Sequence, residues 1–369
     1  MSIVHVSDCF LPRLGGIEVQ VAGLAEAQRR AGAEVHVITA TRAATRPPGY
    51  TVHPVAMPFG PPIHLRAGHH LDRLLGSLGA DVVYVHVGAV SPFAWSGIRS
   101  ALELGLPTVA VVHSMWDPAV RWCYRALDRV DGWSRSPLVL AAVSTAAAAR
   151  VRSALPGEVF VVPNGVTPAL WRGIPAQRSG GPVHVVSVGR LASRKQPLHL
   201  LAVLREVSSA VGGVRATLAG DGPEMGAVRR YVRRHGMDWV RLPGRLDREA
   251  VSRLLASADV FVNPTVCEAF GLATLEARTA GVPVVARPGT GVADFVRDGV
   301  EGLLSDDLAA ALVRLVSDRG LRARMAAHNR TTDPPCTWPR VLAALDACRE
   351  RAAVLAGAGL SGGGRRGRG

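Results

Sequence analysis

The sequence predicts an α/β protein of two domains of similar size, each built on a buried parallel sheet. Three observations predict it. Short, uncharged, β-rich runs alternate with amphipathic helical stretches almost throughout, as strands covered on both faces require. The segment Trp171–Pro182 breaks that alternation with Gly173, Pro175, Ser179, Gly180, Gly181 and Pro182, and the strand–helix count restarts after it. The length, 369 residues, suffices for two domains with separate cores.

Taken in order, the first-half strands are Ile3–Val6, Val35–Thr39, Thr51–Val55, Val82–Val87, Thr108–His113, Leu138–Val143 and Val159–Val162. The second-half strands are Val183–Val188, Ala216–Ala219, Val260–Val262, Pro283–Val285 and Gly302–Leu304. Helical periodicity fills the gaps, as at Val19–Arg30, Pro197–Val211 and Arg248–Ser257. Pro334-Pro335 punctuates the chain again, and Trp338–Ala353 reads as a last helix before a Gly/Arg-rich end. The expected division is an acceptor-side domain over 1–170, a nucleotide-sugar domain over 171–336, a helix over 337–355 packing back toward the first domain, and a disordered basic tail over 356–369.

Composition narrows the class. With 48% hydrophobic and 20% charged residues the chain is globular. The formal charge is +14, and the three tail arginines Arg365, Arg366 and Arg368 do not account for it, so the body favours anionic partners. The five cysteines form no Cys-x-x-Cys pair, which argues against a disulfide framework or a zinc site and fits a reducing cytosol. The start, Ile3-Val4-His5-Val6, reads as a strand rather than a signal peptide, and no apolar run reaches the roughly 18 residues of a membrane span. The expected location is cytoplasmic, with any contact at the inner face of the membrane peripheral.

Ligands of open α/β sheets bind beyond the carboxyl ends of the strands, and the informative residues cluster there. Gly15-Gly16 lies between the first strand and a helix, where paired glycines let backbone approach a ligand; an ordinary glycine-rich helix entry explains them equally well. Arg190 ends a strand and Lys195 opens a helix, so both can point at one spot where a diphosphate needs two cations. Lys195 is the only lysine among 43 basic residues, retained where a compact ammonium suits phosphate oxygens. Glu268 sits in a loop after a strand and Glu276 inside the helix that follows. One unbroken helix would separate the carboxylates by about 12 Å, too far for an acid–base pair on one bond but suited to two hydroxyl-rich rings flanking a diphosphate. The amides of Phe270, Gly271 and Leu272, at that helix start, would face the phosphates. Two solvated glutamates at a helix N-terminus are the plainer alternative.

The ordered set of motifs strongly resembles the retaining glycosyltransferases of family 4, the group 1 transferases. It comprises Gly15-Gly16-Ile17-Glu18, His113, Pro163-Asn164-Gly165-Val166, Gly189-Arg190-x4-Lys195, Gly220-Asp221-Gly222-Pro223, Pro243-Gly244-Arg245, Ala258-Asp259-Val260 and Glu268-x-Phe270-Gly271-x4-Glu276. The resemblance implies the GT-B fold, two Rossmann-like domains facing each other across a cleft. It also implies roles. Arg190 and Lys195 would hold the donor diphosphate, Glu276 the ribose, and Glu268 the transferred sugar, which His113 would contact from the other domain. Gly16 would touch the donor phosphate or the acceptor, and Gly244-Arg245 would line the base pocket. Asp294, in Gly289-Thr290-Gly291-Val292-Ala293-Asp294, stands where the family usually has a glutamate.

The expected activity is therefore metal-independent, retaining transfer from a UDP- or GDP-sugar to a small-molecule or lipid-linked hydroxyl acceptor, by front-face attack. No cofactor is expected, since Asp-x-Asp occurs nowhere. Two rivals stand beside it. A sugar-nucleotide epimerase can share the fold but needs its own acid–base residues. A nucleic-acid-binding protein would explain the charge, but aromatics are only 5% and no binding module is recognised, so no specific nucleic acid is expected. Ile63-His64-Leu65-Arg66-x2-His69-His70 fits no strong metal spacing. Arg121, Arg125 and Arg129 share a helix face near Trp116, Trp122 and Trp133, a pattern of membrane-surface helices as well as of charged outer faces.

Overall fold

The computed structural model describes residues 1–13, 15–42, 44–45, 47, 49–55, 67–174 and 181–363, with the side chains of 67–69 and 359–363 excepted. The chain divides into two units, Met1–Gly165 with Trp338–Gly369, and Val166–Thr337. The division falls five residues before the expected boundary at 170. The reason is local: Pro168–Arg172 is helical, and the Trp171 indole is buried in the second unit beneath the Arg248 guanidinium, 5.4 Å from its ring centre. Half of the expected linker, 175–180, and the histidine-rich 63–66 lie outside the described residues.

The first unit holds strands β1 (Ser2–Ser7), β2 (Glu34–Thr39), β3 (Thr51–Pro54), β4 (Val82–Val87), β5 (Thr108–Val112), β6 (Leu138–Ala142) and β7 (Val159–Val161). They form one parallel sheet in the order β3-β2-β1-β4-β5-β6-β7. Helices α1 (Gly16–Arg30), α2 (Ala67–Ser77), α3 (Pro92–Glu103), α4 (Pro118–Asp131) and α5 (Thr145–Arg152) make the crossovers. The all-buried rows of β4, β5 and β6 explain their uninterrupted apolar runs.

The second unit holds α6 (Pro168–Arg172), β8 (His184–Val188), α7 (Pro197–Val211), β9 (Arg215–Ala219), α8 (Met225–Arg234), β10 (Val240–Gly244), α9 (Arg248–Ala256), β11 (Val260–Asn263), α10 (Leu272–Thr279), β12 (Val284–Ala286), β13 (Gly302–Leu304), α11 (Leu308–Ser317) and α12 (Arg319–Thr331). Its parallel sheet runs β10-β9-β8-β11-β12-β13. The core is aliphatic, from Val185, Leu204 and Leu218 to Val260, Val285 and Leu312. Side-chain caps start several helices where the sequence places Asp or Ser: Asp117 accepts from Val120 N at 2.9 Å, Asp247 from Ala250 N at 2.7 Å and Asp307 from Ala310 N at 2.9 Å.

The last helix, α13 (Trp338–Gly363), packs on β5, β6 and α1 of the first unit. It runs to Gly363, past the end expected at 355 and into the stretch expected to be disordered. Leu355, Ala356, Ala358 and Leu360 carry helix propensity past the expected end, against the cost of Gly357 and Gly359. Among the described residues no helix is long and apolar enough to cross a membrane. On α4, Trp122 is 68% exposed, whereas Trp116 and Trp133 are buried, Trp116 stacked on the Tyr124 ring and Trp133 tilted against it. Arg121 donates to Ser153 Oγ at 3.1 Å and Arg125 to the Ser153 carbonyl, so two of the three arginines hold the helix to its neighbour.

Candidate active site

In the second unit four strand-end loops carry the site residues, and glycines let the loops lie against one another. After β8, Gly189 N donates to Ala219 O (3.0 Å) and Leu191 N to Asp221 O (3.0 Å). Gly220, at φ 144°, approaches so closely that a Cβ there would lie 1.8 Å from Gly189 O, and one on Gly222 would lie 2.3 Å from Leu191 O. This is what the Gly-Asp-Gly motif accomplishes: it braces the loop that presents Arg190 and Lys195. Gly220→Ala should therefore cost about 2–4 kcal/mol. Scanning calorimetry should show this as a melting point lowered by roughly 5–10 °C; a melting point within about a degree of wild type would mean the loop yields freely.

Arg190 is exposed, and its guanidinium makes no hydrogen bond or ion pair among the described residues. Lys195 ends a short 3-10 turn, Ser193–Lys195, and Gln196 follows in a left-handed conformation (φ 52°) before Pro197 starts α7. The Lys195 ammonium donates to Glu268 Oε2 at 2.5 Å, with side-chain exposures of 28% and 12%. The same Glu268 oxygen accepts from Asn263 Nδ2 (3.3 Å), which also reaches Thr274 Oγ1 (3.1 Å). The structure thus joins two residues that the sequence placed on different parts of a ligand.

The Glu268 loop is held from both sides. Gly291 N donates to Glu268 O (2.9 Å), and a Cβ on Gly291 would meet Ala269 O at 2.0 Å. Arg287, at the end of β12, donates to Pro264 O (3.2 Å) and Asp306 O (2.9 Å) and lies 3.2 Å from His199 Nε2. Sequence reasoning missed this clamp. Gly271 caps α10 in the left-handed region (φ 90°), while Phe270 turns inward against Phe295. The amides of Phe270, Gly271 and Leu272 find no acceptor among the described residues. Glu276, half-buried on α10, has its carboxyl pushed up to about 7 by burial, against the pull of Arg248. Gly244, at φ 77°, ends β10 and accepts Gly220 N at 2.7 Å; Arg245 beside it is exposed. Asp294 ends the turn Gly291–Asp294 that braces Glu268.

In the first unit, Gly15 caps α1 and Gly16 opens it. A Cβ on Gly15 would lie 2.4 Å from Glu18 Oε2, so its lack of a side chain admits the buried Glu18 carboxylate, itself 3.2 Å from Arg13 Nε. His113 follows β5, its amide donating to Val87 O (2.8 Å) and its ring in contact with His86. Burial pulls its pKa down to about 4, so the ring is neutral at pH 7.

Two parallel-sheet units with charged and glycine-rich strand-end loops suit the GT-B fold, and the comparisons with known proteins identify a glycosyltransferase. Residues 182–318 match the family described as glycosyl transferases group 1, and residues 14–170 match glycosyltransferase family 4. The GDP-mannose-dependent alpha-mannosyltransferase of Mycolicibacterium smegmatis is 30% identical, over 92% of this chain and 95% of that one. The D-inositol 3-phosphate glycosyltransferase of Nocardiopsis dassonvillei is 30% identical over 91% and 92%. Among solved structures, Anabaena HepE in complex with UDP-glucose superposes with a TM-score of 0.72 at 18% identity, covering 96% of this chain and 100% of that one. The chain belongs to the family 4, group 1 glycosyltransferases.

Proposed function

We propose that this glycosyltransferase moves a sugar from a UDP- or GDP-sugar to a hydroxyl acceptor, small or lipid-linked, retaining the anomeric configuration and using no metal. The observation that carries the reading is the Lys195–Glu268 pair beside the amides of Phe270, Gly271 and Leu272 at the start of α10, which have no acceptor among the described residues. A cation, a helix start and the exposed guanidinium of Arg190 together suit a diphosphate. Glu268 takes hydroxyls of the transferred sugar, Glu276 those of the ribose, and Gly244-Arg245 the base. Gly15-Gly16 is assigned to donor phosphate or acceptor and His113 to the transferred sugar. The C1–O bond to the diphosphate breaks as the acceptor oxygen attacks C1 from the same face, and the acceptor proton passes to the departing phosphate oxygen.

The mannosyltransferase relative makes GDP-mannose the first donor to try. Thermal shift with UDP, GDP, ADP and TDP and their common sugars tests the donor class, since a ligand at 100 times its Kd adds about 2.7 kcal/mol. Because two cations and a helix start supply the charge that a bridging metal supplies elsewhere, activity should persist in excess EDTA. Complete loss in EDTA, restored by magnesium or manganese, would refute the metal-free assignment.

A further inference from the structure

Arg287 is the first residue past β12, and it stands where four adjacent strands of the second sheet, β8-β11-β12-β13, come to their carboxyl ends. Pairing of β12 with β11 stops at Asn263 and Ala286, and with β13 at Ala286 and Leu304, so the ladder cannot hold the loops beyond. The Arg287 side chain supplies bonds there instead. Its Nε donates to Pro264 O (3.2 Å) in the loop after β11, and its Nη1 to Asp306 O (2.9 Å) in the loop after β13. Its Nη2 lies 3.2 Å from Nε2 of His199, in the first turn of α7, the helix that follows β8. A guanidinium can only donate, so His199 Nε2 accepts and the ring proton sits on Nδ1.

We propose that Arg287 is a positioning residue of the donor site: by spanning these three elements it sets Lys195 and Glu268 against each other. This rests on the reading that the pair serves the donor.

The anchored points flank the pair closely. His199 lies four positions after Lys195, and Pro264 four before Glu268. Arg287 therefore ties together the bases of the two loops that meet in the Lys195 Nζ–Glu268 Oε2 contact of 2.5 Å. Its backbone acts on the same loop. The Arg287 carbonyl accepts from Thr290 Oγ1 (2.9 Å), and Gly291, next in the chain, donates its amide to Glu268 O (2.9 Å). An arginine placed only to balance charge would end on a carboxylate. Here the Asp306 carboxylate stands off at 3.7 Å and is 84% exposed, while the Arg287 side chain is only 14% exposed and two of its three acceptors are carbonyls. The acceptors use the span of the group rather than its charge. A planar fork offers donors in several fixed directions, whereas a lysine offers them from one point. A site held by such a brace loses function out of proportion to the bond removed, because its groups must be preorganised closely.

The test uses the full chain. Lys195 is its only lysine, so isotope-labelled lysine gives one side-chain signal. Exchange of the ammonium protons with water reads the pair directly: it should be slow in the wild type, and Glu268→Gln marks the rate of the broken pair. Arg287→Met should speed exchange about tenfold, and so should Arg287→Lys, which keeps the charge but not the span. His199→Leu, an exposed position that loses one bond, should speed it about threefold and decides the matter alone if the Arg287 variants do not fold. A wild-type rate equal to that of Glu268→Gln, or no change in folded Arg287→Met or in His199→Leu, would overturn the proposal. Calorimetry with GDP and UDP separates span from charge: affinity should fall about tenfold in both Arg287→Lys and Arg287→Met. Wild-type affinity in Arg287→Lys with a loss in Arg287→Met would make Arg287 a charge that meets the ligand itself, and would overturn the proposal too. If neither nucleotide binds the wild type, the donor reading fails, and the lysine signal still judges Arg287.

Discussion

Lys195→Ala should lower turnover by a factor of about 100–1,000, the loss expected when one preorganised group that stabilises developing charge is removed. Its partner makes the prediction sharper. Glu268 holds the Lys195 ammonium at 2.5 Å and is itself largely buried, so the two cannot be treated as independent contacts. Removing Lys195 leaves a carboxylate facing the diphosphate without its cation, and nucleoside diphosphate affinity should fall sharply. Removing Glu268 has the opposite electrostatic sign for that ligand. Glu268→Ala frees the ammonium, so nucleoside diphosphate should bind as well as or better than in the wild type, while turnover falls because contacts that tighten in the transition state act on rate. The double variant should lose less than the sum of the two single losses, as coupled neighbours do. Calorimetric binding of UDP and GDP to the three variants decides the matter. Equal losses of affinity in both single variants would leave only an acidic helix start with a structural lysine.

The parts legible in the sequence are those set by local chemistry. Every strand of the first sheet and five of the second follow from uncharged β-rich runs between amphipathic stretches. The sixth, β10, was hidden by Arg241 and Pro243, which a central strand would reject. It lies at the sheet edge, where an exposed arginine and a proline without an amide hydrogen cost little. The strand-end motifs announced Lys195 and Glu268 by residue type and position, but not that they pair, because 73 positions separate them. Arg287 carried no signal, being one arginine among many at the end of a short strand. His86, His5 and Gln28, whose side chains meet in that order at 3.0 and 2.6 Å beneath His113, carry no signal either. Their alignment depends on strand register and on the placement of α1 over the sheet, and both are products of tertiary pairing rather than of any local pattern.

Donor affinity should depend on pH through Glu276. Burial raises its carboxyl from 4.5 to about 7, so at neutral pH about half of the free enzyme carries a protonated Glu276. The sign for stability follows from linkage. The native state holds this proton more tightly than the unfolded chain, so the contribution is fully present below about pH 4.5, declines as pH rises through 7, and is constant above that. For the ligand the sign is reversed. If the ribose hydroxyls donate to Glu276, they favour the ionised form, and binding expels a proton. Affinity for a nucleoside diphosphate should then rise as pH goes from 5.5 to 8 and level off above the free-enzyme value of about 7. Glu276→Gln removes the titration but leaves that of the phosphates, so the ratio of wild-type to variant affinity isolates the carboxyl. At pH 8 the wild type should bind tighter by of order 1.5–3 kcal/mol, the worth of hydrogen bonds to a charged group. At pH 5.5, where Glu276 is protonated in the free enzyme, most of that difference should vanish. Calorimetry near pH 7 in two buffers of different ionisation enthalpy should show roughly half a proton released by the wild type beyond that released by Glu276→Gln. An affinity ratio that is the same at pH 5.5 and pH 8 would remove Glu276 from the nucleotide and leave it a buried acid of the helix.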